Sequence, residues 1–215
     1  MVDMKKRYAF TLVEMLVVIA IIGIIAALVI NMAGPAKARQ RQVQVESTKQ
    51  KLLIAIDNYQ SKLNYYPPDN TNLLGSTIGP NGTYDGLAAT NSLLYELTGA
   101  TNYMAAGTIQ LFDGTNVQTN VFFTTYGRLA VNNAYQDAPP QIFLQPRAGE
   151  YTNYYQGSPL KGLLVPVPLA YPNNMNNNFW HYDASTTNRH NMTSYDLWAE
   201  YAAPTSGSNI TIGNW

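Results

Sequence analysis

Cysteine is absent from the 215 residues, which excludes a disulfide framework, a thiolate nucleophile and a cysteine-ligated metal site. Charge is scarce as well: 12% of residues are Asp, Glu, Lys or Arg, against roughly 25% in ordinary soluble domains. The 13 basic and 13 acidic side chains balance, so there is no basic excess to hold a phosphate backbone, and nucleic acid is not an expected partner. Only two histidines occur, His181 and His190. With Asp183 they invite a metal or acid–base reading, but their spacing is not that of a zinc site, and they are read as structural or surface residues. Nucleophile elbows, phosphate-binding glycine loops and H-E-x-x-H helices are all missing, so the expectation is a protein that is not an enzyme. In place of charge the chain carries Asn, Thr and 16 Tyr, and 46% of it is hydrophobic. That composition folds, and its uncharged polarity suits a domain facing the outside of a cell. The tyrosines are read as core and strand residues; a carbohydrate- or surface-binding patch is the alternative. Asn81, Asn191 and Asn209 each begin an N-x-T sequon.

One long apolar run stands out against this background. From Phe10 to Ile30 the chain reads FTLVEMLVVIAIIGIIAALVI, about 31 Å as a helix, the thickness of a bilayer's hydrocarbon core. Lys5, Lys6 and Arg7 precede it, and the positive-inside bias places them in the cytoplasm with everything after Asn31 outside. Glu14 is the one charge inside the run. Three readings meet here. A secretory signal peptide would be cleaved after a small-x-small site such as Ala36-Lys37-Ala38, although the helical pattern continues through it. A plain signal anchor would tolerate Glu14 near the positive end of the helix dipole.

The third reading is a resemblance. The stretch KKRYAFTLVEMLVVIAIIGIIAAL resembles the class III signal of type IV pilins and type II secretion pseudopilins, in which a short basic leader precedes F-T-L-x-E and an apolar helix. The resemblance implies a leader at residues 1–9, cleaved between Ala9 and Phe10 by a prepilin peptidase that methylates the new Phe10 amine. The family usually has Gly where this chain has Ala9. It also implies that Glu14 is an assembly residue: a carboxylate in hydrocarbon needs a partner, and the cationic Phe10 amine of a neighbouring subunit would supply one.

Downstream, Gly34 and Pro35 are expected to interrupt or kink the helix. From Ala36 to Leu63 no Gly or Pro occurs, and Val45, Leu52, Ile56, Tyr59 and Leu63 share one helical face. Lys37, Arg39 and Arg41 lie toward the membrane and Glu46, Lys49, Lys51, Asp57 and Lys62 fill most of the remainder; the cluster is read as a solvated face, with a lipid-headgroup contact as the alternative. YYPPDN ends the helix, because the residue before a proline avoids helical geometry. In the head, Ser92 to Gly99 predicts a short helix with an Asn91 or Ser92 cap, and residues 108–126 predict two strands around Asp113-Gly114. Residues 162–171 are extended by their prolines, and residues 173–178 are read as a loop. Closing strands are expected at residues 179–185, 194–201 and 209–215. YDLWAEY and IGNW are similar to the strands that close the major pseudopilin's sheet. That family's calcium loop lies between them, but no Asp or Glu follows Glu200 here, so neither calcium nor another cofactor is expected.

The expected architecture is α+β and pilin-like. Residues 1–9 form a leader, 10–34 a transmembrane and assembly helix, 35–64 an amphipathic stalk helix packed on an antiparallel sheet, and 65–215 a β-rich head. The expected function is a structural subunit, pilin or pseudopilin, polymerised into a filament. Its partners would be the prepilin peptidase and methyltransferase, identical or related subunits, the inner-membrane assembly platform and the membrane itself. Its location would be a bacterial-type inner membrane with the head outside the cytoplasm, then a filament in the periplasm or on the surface. A membrane-anchored binding protein that does not polymerise is the alternative.

Overall fold

The computed structural model describes residues 10–69, 91–103, 106–135, 139–154, 157–169, 177–184, 190–203 and 207–215, with the side chains of 29–33 and 35 left outside the description. The chain divides into two units, Met1–Gln40 and Arg41–Trp215. Helix α1, Leu12–Leu63, contributes to both and passes through Gly34 and Pro35. It stops where Asn64 turns left-handed, φ 64°, with its N–H bonded to the Gln60 carbonyl at 2.8 Å. Asparagine tolerates that conformation, so the stop precedes the prolines that also forbid further helix.

Within the second unit the predicted helical face is buried. Val45, Leu52, Ile56 and Tyr59 are at most 1% exposed and belong to the same core cluster as Leu94, Phe122, Trp180 and Leu197. Lys49 departs from the expected solvated face. It fills the gap in the buried stripe between Val45 and Leu52, its ammonium 3.1 Å from the Gly213 carbonyl and 3.1 Å from Glu46. A long aliphatic stem can line a core while its charged end finds polar partners.

The head is built from small sheets. Strands β1 (Ala100–Tyr103), β2 (Thr108–Leu111), β3 (Asn116–Gln118) and β4 (Ala134–Tyr135) form one sheet in the order β3-β2-β1-β4. Strands β5 (Tyr151–Asn153) and β6 (Lys161–Leu163) form a second, and β7 (His181–Asp183), β8 (Asp196–Ala202) and β9 (Asn209–Gly213) a third. All pairings are antiparallel except β1 with β4, so the α+β, largely antiparallel expectation holds with one parallel exception. Asp113-Gly114 makes the β2–β3 turn, Gly114 at φ 81°.

Helix α2, Leu93–Thr98, is buried along its whole length and ends at Gly99, φ 74°. Its start uses the Asn91 side chain, which accepts the Leu93 N–H at 3.2 Å. Both strands expected around Asp113-Gly114 are present as β2 and β3, but the second ends at Gln118 and the rest of the expected strand stretch is helix α3, Thr119–Tyr126. Helical spacing sets Phe122 and Tyr126 together on one face, where both rings pack against Tyr95; a strand would send neighbouring side chains to opposite faces instead. The three closing strands coincide with the predicted stretches, β8 running one residue further, to Ala202. Alternation along β8 buries Leu197, Ala199 and Tyr201, and Asn214 completes the closure. Its side-chain oxygen accepts the Leu197 N–H and its amide donates to the Tyr195 carbonyl, both at 3.0 Å. The loop expected at 173–178 lies mostly outside the described residues.

Candidate assembly site

The apolar segment offers a surface that the rest of the described chain does not. Phe10 is 76% exposed, Leu12 82%, Ile19 65% and Leu28 60%. Because successive helical residues are about 100° apart, the exposed run from Met15 to Val18 and on through Ile25 shows apolar side chains on every side. A helix that is hydrophobic all round is covered by membrane or by other helices. Among the described residues no helix is long and apolar enough to cross a membrane; the described apolar side chains stop at Leu28, and the sequence continues them with Val29 and Ile30.

Glu14 sits in the first turn of this helix with a specific local geometry. Its Oε2 accepts the Thr11 backbone N–H at 2.8 Å and the Thr11 hydroxyl at 2.9 Å. In return the Glu14 N–H donates to Thr11 Oγ1 at 3.2 Å. This reciprocal arrangement is a capping box, which satisfies two amides that the start of a helix otherwise leaves unpaired. Neither Thr11 bond uses Oε1, so one carboxylate oxygen is left for a further donor. The sequence reading did not single out Thr11, although T-L-V-E is the S/T-x-x-E pattern that signals such a box.

A second carboxylate, also missed, organises the head. Glu96 is fully buried on α2 and receives the Asn132 N–H at 2.8 Å, the Asn133 N–H at 3.0 Å and the Tyr59 hydroxyl at 2.9 Å, with Arg128 3.8 Å away. Burial raises its carboxyl above the ordinary value, and the Asn132, Tyr59, Arg128 and Asn133 interactions oppose that rise without reversing it. The Tyr59 hydroxyl is in turn pushed up by burial and by the Glu96 charge. This group ties the end of the stalk helix to the middle of the head. Its signal in the sequence is a single acid inside the apolar stretch LLYELT.

The two histidines are not brought into one cluster with Asp183. His181 stacks on Trp198 at 5.0 Å, whereas His190 stacks on Trp215 at 4.0 Å and sets Nδ1 3.2 Å from Asp196 Oδ2. Among the described residues no group of three His, Cys, Asp or Glu is placed to hold a metal ion. Ala9 lies outside the described residues, while Phe10, Glu14 and Gly34 lie within them. Among the described residues a Cβ on Gly34 would meet nothing within 4 Å, so none of them requires a glycine there.

No curated protein and no solved structure matches the chain. The family profile of the prokaryotic N-terminal methylation motif does match, over residues 4–30, a span that takes in Lys5, Lys6, Arg7, Phe10, Glu14 and the apolar run. The chain thus carries a prokaryotic N-terminal methylation motif, the hallmark of type IV pilins and pseudopilins, ahead of a pilin-like α+β fold.

Proposed function

We propose that the chain is the precursor of a filament subunit, a pilin or pseudopilin. A prepilin peptidase removes residues 1–9 and methylates Phe10. Residues 10–34 hold the subunit in the inner membrane and later pack against the same segment of other subunits, residues 35–64 form the stalk, and residues 65–215 form the head. The observation that carries this reading is the all-round apolar exposure of a helical segment whose one acid, Glu14, is held at the first turn. Such a surface has no use in water and two successive uses here, in lipid and then in a bundle of like helices.

Glu14 sets register in this scheme. The free α-amine of Phe10 is cationic at neutral pH, and Glu14 Oε1 of a neighbouring subunit receives it while Oε2 keeps the Thr11 cap. A subunit docking at the wrong height leaves both charges without partners in an apolar bundle. Gly34 and Pro35 serve as the point where the helix bends or melts on packing, since Pro35 has no N–H to return to residue 31.

The discriminating experiment is Glu14→Ala in cells with an active prepilin peptidase. Membrane insertion and cleavage at Ala9–Phe10 persist, because an apolar residue suits the segment at least as well. Filament formation is lost, because each docking now buries an unpaired cation, a cost of roughly 2.5–3.5 kcal/mol on insertion scales. Filaments of normal number and length from Glu14→Ala would refute the register role. Mature protein that retains Met1 to Ala9 would refute processing, and with it favour an anchored, non-polymerising protein.

A further inference from the structure

Three cations, Lys37, Arg39 and the half-buried Arg41, follow the apolar run on α1, with no acid nearby in the helix. Between Glu14 and Glu46 the sequence contains no Asp or Glu. Lys37 and Arg39 are both exposed, and among the described residues neither enters an ion pair. Two residues apart, they point about 200° from each other around the helix. A protein partner approaching from one side meets one of them. A charged layer that encircles the helix meets both.

Their height is also informative. Lys37 lies seven residues beyond Ile30, the last apolar residue of the run, which is about 10 Å along a helix axis. Each polar layer of a bilayer is roughly 5–8 Å thick beyond the hydrocarbon, and long basic side chains bend back toward it. Lysine offers phosphate a point charge and arginine a two-pronged donor.

We propose that Lys37 and Arg39 form a collar that binds the phosphates of acidic phospholipid head groups on the non-cytoplasmic face, setting the depth at which the subunit waits before assembly. The inference rests on the membrane-stored reading above and adds the lipid class that the stored subunit selects. Each basic residue near an anionic surface contributes about 1 kcal/mol, so a single engaged cation enriches acidic lipid beside the helix about fivefold.

The absence of cysteine makes the test clean, because Ala36→Cys in the full chain gives one labelling site. The chain is reconstituted in phosphatidylcholine vesicles containing one part in about five of phosphatidylglycerol, and a fluorophore at residue 36 is quenched by either lipid carrying a spin label high on its acyl chain. Phosphatidylglycerol is expected to quench about fivefold more per mole, and the ratio to fall to about one in Lys37→Gln/Arg39→Gln and at high salt. A ratio of one in the unsubstituted chain overturns the collar and leaves the membrane reading intact. A preference that survives the double substitution overturns the assignment to these residues. A chain that alkaline carbonate washes off the vesicles overturns both readings.

Discussion

Replacing Glu96 by glutamine changes one buried oxygen into an NH₂ group, and the surroundings cannot accept it. Three donors converge on the carboxylate: Asn132 N–H on Oε1, and Asn133 N–H with the Tyr59 hydroxyl on Oε2. A glutamine carbonyl can serve the Oε2 pair, but its NH₂ then faces the Asn132 N–H and Arg128. One buried donor left unpaired costs about 1–3 kcal/mol, and Arg128, with 18% side-chain exposure, loses its counter-charge. Removal of the desolvated anion offsets part of this, so Glu96→Gln is expected to destabilise by about 2 kcal/mol and Glu96→Ala by about 3–5 kcal/mol. For a unit of this size the glutamine variant unfolds roughly 4–8 °C lower, measured by near-UV circular dichroism of the full chain in detergent. The pH dependence carries a sign. Burial raises the folded carboxyl above its unfolded value of 4.5, so the folded state holds the proton more tightly. The stability this group contributes is full below that value and declines as pH rises through the folded one. The wild type therefore gains on the glutamine variant as pH falls toward 4.5. A variant that melts at or above the wild-type temperature at neutral pH would refute a carboxylate-centred cluster.

The amino-terminal cap gives a second expectation: Thr11→Val removes the hydroxyl that serves Glu14 and costs the helix start about 0.5–2 kcal/mol, whereas Thr11→Ser keeps it, so that filament yield is reduced by the first and retained by the second. Gly213→Ala places a methyl group 2.7 Å from the Trp215 ring; over-packing of this kind costs about 1–3 kcal/mol, and adding Trp215→Ala restores the melting temperature. The half-buried pair of Lys51 and Glu150, at 2.7 Å, contributes about 0.2–1 kcal/mol by double-mutant cycle and less at high salt. Burial pushes the Glu150 carboxyl up, but the Lys51 ammonium and the Arg147 N–H outweigh it and leave the net value lowered, so the stability this group adds is present above its unfolded value and lost as pH falls through the lowered one.

What could be read from the chain alone is what local pattern encodes. The basic leader, F-T-L-x-E and the apolar run are contiguous, and a helix hydrophobic on every side needs no tertiary context to be recognised. The stalk face was legible because Val45, Leu52, Ile56 and Tyr59 repeat at helical spacing, and the closing strands because their apolar residues alternate. Thr11 was equally legible, its partner being three residues away.

Other features were decided by residues distant in sequence. Helix α3 took over the end of the expected second strand because Phe122 and Tyr126 find Tyr95 on α2, more than twenty residues earlier, and that packing outweighs a β-prone composition. Lys49 entered the core because the Gly213 carbonyl, on a strand 164 positions away, supplies a polar end for its stem. Glu96 became a buried hub because Tyr59, Arg128 and two backbone amides close around it. A charge in water and the same charge in a core are identical in sequence. Only the fold determines which groups replace the water, and it is that replacement, not the residue type, that sets whether the carboxylate can stay.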